Sequence, residues 1–199
     1  SNSITFNGGD ISIWANVRAG KMIFYADGEI TGQTNNITLT ANNSSGDGVI
    51  LSSNYGGTEN DAGPIRFYTD LTIITNGSNI NLGGRDDTGT GYTDAENWNG
   101  IEFQQLTINS NGGDIQIKGE SDNEVGVYFT DAASITSGGG DITIDGYNRA
   151  GGNYDIWFAN TGGVTSTINS GAGTINLIKS ADTGDDMYVA AGSLTINST

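Results

Sequence analysis

Leu106-Thr107-Ile108-Asn109-Ser110-Asn111-Gly112-Gly113-Asp114-Ile115-Gln116-Ile117 is two short strands joined by a corner. Leu106 and Ile108, then Ile115 and Ile117, alternate with polar residues, the period of a strand with one buried face. Between them, Asn and Gly are the residues that accept positive φ, so the chain turns there. The same design returns as Ile4 to Ile13 and as Ser134 to Ile144. Upstream of Leu106 lies Ile101-Glu102-Phe103, apolar at both ends. Its pattern recurs at Met22-Ile23-Phe24, Ile65-Arg66-Phe67, Val127-Tyr128-Phe129, Ile156-Trp157-Phe158 and Met187-Tyr188-Val189. No window carries the spacing of an amphipathic helix.

The unit is therefore three strands: a first (Leu106 type), a middle (Ile115 type) and a third (Ile101 type). Middle strands begin at Ile11, Ile37, Ile80, Ile115, Ile142 and Ile175, at intervals of 26, 43, 35, 27 and 33 residues. A constant turn of the chain plus insertions accounts for those intervals. Three strands per unit, no helix and corners of Gly and Asn predict an all-β fold, a right-handed parallel β-helix (β-solenoid) of about six three-strand coils. Six coils make a rod about 30 Å long. An antiparallel sandwich of short strands is the competing architecture, but it offers no reason for one strand order to repeat. The interior should be columns, with Met22 and Phe24 stacked beneath Ile65 and Phe67, then Ile101 and Phe103. Each buried side chain contributes about 1.5–3 kcal/mol.

The 199 residues read as a single segment, 1–199, with no linker and one proline, Pro64. Seven basic against 23 acidic residues give a net charge of −16. Nucleic acid and anionic membrane are thereby disfavoured as partners, and no apolar stretch is long enough for membrane insertion. Cysteine and histidine are absent, which removes thiol chemistry, the common zinc sites and triads that use either residue. Both ends fall on first-strand copies without a polar cap. The expectation is a piece of a longer array, with flanking repeats of the same chain as partners.

Function is expected where the repeat is irregular. The connection from middle to third strand swells to 25 residues (40–64) in coil two and 18 residues (83–100) in coil three. Loops on one face of a solenoid are where specific contacts gather. These two hold Tyr55, Asp61, Arg85, Tyr92 and Trp98, aromatic and polar groups of the kind that recognise sugars. Equally, Tyr55 and Trp98 could pin their own loops, and Gly48-Val49-Ile50-Leu51-Ser52 resembles an additional third strand. A second candidate is the outward position of the third strands, reading Ile23, Arg66, Glu102, Tyr128, Trp157, Tyr188 up the stack. Its last three form an aromatic ladder that can bind glycan or simply stabilise the sheet.

Carboxylates make a third candidate. Asp114 and Asp141 occupy equivalent corners about 5 Å apart, where each can cap its own turn or share a calcium ion. Asp86 and Asp87 form another possible calcium pair. Basic residues are dispersed, so no catalytic residue is assigned and the chain is read as non-enzymatic.

The stretches 3–13, 106–117 and 134–144 resemble repeats of filamentous-haemagglutinin-like bacterial exoproteins. The resemblance implies the β-helical shaft of a large secreted or cell-surface bacterial adhesin, contacting a glycan or a host-surface receptor. The Asn-Pro-Asn-type motifs of that family's secretion domain are absent from the sequence. The alternative is a carbohydrate-active β-helix enzyme, a polysaccharide lyase or hydrolase, or a tail-spike-like depolymerase.

Overall fold

The computed structural model describes residues 3–8, 10–13, 15–26, 28–32, 36–53, 63–85, 88–149, 153–179 and 185–199. Every regular element among them is a β-strand, and the strands form two sheets. The first sheet stacks β1 (Ser3–Gly8), β4 (Lys21–Ala26), β7 (Asp47–Ser53), β9 (Asn79–Gly84), β11 (Ile115–Ser121), β14 (Ile142–Asn148) and β17 (Ile175–Lys179). The second holds two columns. One runs through β2 (Ile11–Ser12), β5 (Ile30–Gly32), the start of β8 (Ile65–Ile74), the start of β10 (Ile101–Asn109), β12 (Val127–Phe129), β15 (Tyr154–Phe158) and β18 (Asp185–Val189). The other runs through β3 (Val17–Ala19), β6 (Ile37–Ala41), the ends of β8 and β10, β13 (Ala133–Thr136), β16 (Thr165–Gly171) and β19 (Ser193–Ser198).

Pairing is parallel throughout these columns. Along the chain, each repeat visits the first sheet once and the second sheet twice. The seven strands of the first sheet count seven such passes, one more than the sequence pattern predicted.

The additional repeat comes from a change of register in the N-terminal third. Met22 and Phe24 do not lie beneath Ile65 and Phe67; Met22 pairs with Ile4 and Val49 in the first sheet. Ile65 instead pairs with Ile30, and Ile11 lies beneath Ile30. Ile37 joins Leu71. The alternating triplets are chemically interchangeable, so local pattern cannot say which triplet meets which. Volume can. Gly32 is opposite Phe67, and a Cβ there would lie 2.5 Å from the ring of Phe67. The segment 48–52 does form a strand, but in the first sheet, leaving 54–64 as the insertion. The two enlarged connections thus belong to the third and fourth repeats, which are neighbours.

Phe67, Phe103, Phe129 and Phe158 form the inward column of the second sheet, with successive ring centroids 6.1, 6.0 and 4.6 Å apart. Ile80, Ile115 and Ile142 form a buried column in the first. At the corner, Thr75, Ser110 and Ser137 make a buried hydroxyl ladder. Ser110 Oγ donates to Gly113 O in its own turn and lies 3.2 Å from Ser137 O in the next repeat. Ser137 Oγ does the same with Gly140 O and, at 3.1 Å, Ser170 O. The hydroxyls thereby give Gly113 O and Gly140 O a donor, where an unpaired buried group is costly.

Candidate functional site

The connection 85–100 leaves β9 and folds back over the first sheet, where Gly84 N donates to Gly91 O at 2.9 Å. Tyr92 then reaches across two repeats. Its hydroxyl donates to Asp145 Oδ2 at 2.7 Å, and Lys118 Nζ lies 5.4 Å from its ring centroid. Burial pushes the Tyr92 hydroxyl well above its ordinary pKa, and the Asp145 carboxylate adds to that. Burial also raises Asp145, against the opposing pull of the Tyr92 hydrogen bond and Lys118. Tyr92 is a fixed strut, not a free platform.

Beyond Tyr92 the same connection enters an ion network. Arg85 pairs with Asp94 and lies 3.7 Å from Glu120. Arg149 pairs with Glu120 and reaches Asp122 at 2.8 Å and Asp94 at 3.6 Å. The Asp94 and Glu120 side chains are only 5% and 4% exposed. One carboxylate oxygen from each of Asp94, Glu120 and Asp122 lies within 4.8 Å of the others, a spacing that could suit a cation. Here guanidinium groups neutralise those oxygens. Burial raises Glu120, with Arg149 and Arg85 pulling it back. The network ties the fourth, fifth and sixth repeats together, and Arg85 is spent on it.

Trp98 ends on the other sheet. It is 55% exposed, with the Arg66 guanidinium 4.4 Å from its ring centroid. Tyr92 and Trp98, neighbours in sequence, therefore serve different faces. On the second sheet the outward column is Ser12, Thr31, Arg66, Glu102, Tyr128, Trp157 and Tyr188. Ile23 is not in it, because β4 belongs to the first sheet. Tyr128 and Trp157 lie 5.0 Å apart, and Trp157 and Tyr188 6.0 Å. Tyr154, which the triplet pattern did not single out, stacks on Tyr188 at 4.6 Å. Tyr154 and Tyr188 lie face to face, whereas Trp157 meets its three neighbouring rings at 46–66°.

Asp114 and Asp141 do not cap their own turns. Each caps the next repeat: Asp114 Oδ1 accepts from Asp141 N at 2.8 Å, and Asp141 Oδ1 from Thr174 N at 2.7 Å. Asn79 begins the series, accepting from Asp114 N at 3.0 Å. All three line a groove of about 450 Å³ on the outer face of the first sheet. Its floor holds Asn81, Gln116 and Thr143, the outward residues of three successive strands. Thr88 and Thr90 of the connection form one wall, and Asp47 closes one end. Gln116 Nε2 holds that wall through Thr90 O at 2.9 Å.

The middle residue of each Ile-x-Ile triplet was a signal for this floor, since alternation sends it outward. Asp47 had no such signal, because its strand was hidden in an apparent insertion. Tyr55, Asp61, Asp86 and Asp87 lie outside the described residues. Comparison of the chain with family models, curated proteins and solved structures gives no match.

Proposed function

We propose that the chain winds as a right-handed parallel β-helix of seven coils and serves as a shaft segment of a large secreted or cell-surface bacterial adhesin, contacting glycan on its outer face. The observation that carries this reading is the repetition of side-chain ladders in one register. The Phe column, the Ser110–Ser137 hydroxyl ladder and the Asn79–Asp114–Asp141 caps all join one repeat to the next. Such ladders make each repeat depend on its neighbours, which is how a solenoid propagates. Right-handed winding follows from the general preference of parallel crossovers. The non-enzymatic reading draws support from the arginines of the 85–100 region, since Arg85 and Arg149 are each committed to carboxylates and neither is left as a base.

A glycan array probed with the wild type tests the binding part. Binding without turnover is the expected result. Release of products from an acidic polysaccharide would overturn the shaft reading in favour of a lyase or hydrolase. Lack of both leaves a spacer and removes the glycan part of the proposal.

A further inference from the structure

The groove on the first sheet offers a repeating chemistry that the shaft does not need. Its floor residues Asn81, Gln116 and Thr143 are in direct register on adjacent strands, so they recur about every 4.8 Å. Two residues earlier on the same strands, or at their edge, come Asn79, Asp114 and Asp141, a second row parallel to the first. We propose that this groove binds a linear oligosaccharide laid along the stack of repeats, with amino sugars preferred. The inference rests on the glycan-contacting reading above and gives that reading a place and a ligand class.

Shape supplies the first argument. A chain of sugar rings presents its hydroxyls at a regular interval, and the groove presents an amide, an amide and a hydroxyl in regular order along its floor. The wall of Thr88 and Thr90, whose hydroxyls lie 2.7 Å apart, faces those rows. Asn81 is 7% exposed and donates to Asp47 Oδ1 at 3.2 Å, so the end of the groove is held before any ligand arrives.

Charge supplies the second. Among the described residues, none that lines the groove is basic or aromatic. Anionic sugars would meet Asp47, Asp114 and Asp141 with no cation in the lining to receive them, although Lys21 lies 3.4 Å from the other oxygen of Asp47. A protonated amine would instead be attracted.

The third argument is a comparison inside the molecule. Asn79 caps the repeat above it through its side-chain oxygen, as Asp114 and Asp141 do. An amide is therefore sufficient for the ladder. The two carboxylates stack one repeat apart, where like charges repel. Their charge is surplus to the fold, and it faces the groove.

This internal precedent provides the test, because Asp114→Asn with Asp141→Asn keeps the caps while removing the charge. Calorimetric titration would use a glucosamine tetramer, a neutral glucose tetramer and a uronate tetramer, with calcium chloride alone as a fourth ligand. The wild type is expected to bind the glucosamine tetramer best and the uronate not at all. The double variant should lose about tenfold or more of the glucosamine affinity and keep its melting temperature. Thr143→Lys, placed on the floor, should weaken both the glucosamine and the glucose tetramer and covers the case in which the double variant melts early. Trp98→Ala should change nothing. If the wild type binds sugar and none of the groove variants alters it, the site is wrong while the glycan reading survives. If no sugar binds here or on the array, both fail. Calcium binding that the double variant abolishes, without sugar binding, would replace the proposal with a cation site.

Discussion

At the scale of single residues, the interior phenylalanines dominate. Phe129 lies between Phe103 and Phe158 and is almost wholly buried. Phe129→Ala should lower stability by about 3–5 kcal/mol, read from urea unfolding. A loss below about 1 kcal/mol would mean that the column collapses to fill the gap. Carboxylates act in the opposite sense at this scale. Burial raises Glu120 above its ordinary value of 4.5 and Asp145 above its ordinary 3.8. The folded chain then binds these protons more tightly than the unfolded chain does. Stability from these two groups is full at and below those ordinary values, falls as pH rises from there through the raised ones, and is flat above. Urea midpoints should accordingly decline as pH rises above about 4. Asp145→Asn should flatten part of that decline. An unchanged slope in the variant would show that burial of Asp145 is not its source.

At the scale of elements, the corner between β10 and β11 and the corner between β13 and β14 are superposed by backbone contact as well as by hydroxyls. A Cβ on Gly140 would lie 2.3 Å from Gly113 O, so the second corner approaches as only glycine allows. Ser137→Ala leaves Gly140 O without its buried donor, while Ser170 O keeps the Gly139 N–H, a loss of about 1–3 kcal/mol. Gly140→Ala should cost at least as much, because backbone rather than a side-chain tip must give way. Thermal melts of both variants measure the order. Wild-type stability in Gly140→Ala would mean that successive corners are not in contact. These elements were legible in outline: the Asn-Gly-Gly-Asp run marks a turn, and Asn111 and Gly112 do adopt positive φ, 52° and 115°. The pairing of the Asp114 and Asp141 corners was legible from the repeat; that each Asp caps the following corner was not, since contact between repeats has no local signature.

For the whole molecule, two sheets share one connection. Residues 85–100 send Tyr92 to the first sheet and Trp98 to the second, with the Arg85 and Arg149 network between them. The net charge of −16 acts across that frame. Self-repulsion among so many carboxylates favours expansion, and salt screens it. The melting temperature should rise when ionic strength is increased from about 0.01 to 0.15 M. A fall instead would assign the dominant electrostatic effect to the ion pairs of Arg85 and Arg149.

Strand period, inward columns and glycine corners were written in the sequence, because alternation and positive φ are properties of neighbouring residues. The absence of histidine and cysteine likewise narrowed the chemistry without any coordinates. From Ile65 onward the register was legible too, with Ile101, Val127, Ile156 and Met187 stacked in turn; in the N-terminal third it belonged to the tertiary structure. Met22-Ile23-Phe24 and Ile65-Arg66-Phe67 have the same pattern yet lie in different sheets, and it is Gly32 that faces Phe67, where a Cβ would come within 2.5 Å of the ring. That same decision brought Asp47 beside Asn79 and Asn81 and so closed the groove. The physical reason is one of range. Each strand's buried face is set by its own residues, whereas the partner it stacks upon is chosen by shape complementarity between segments a whole repeat apart.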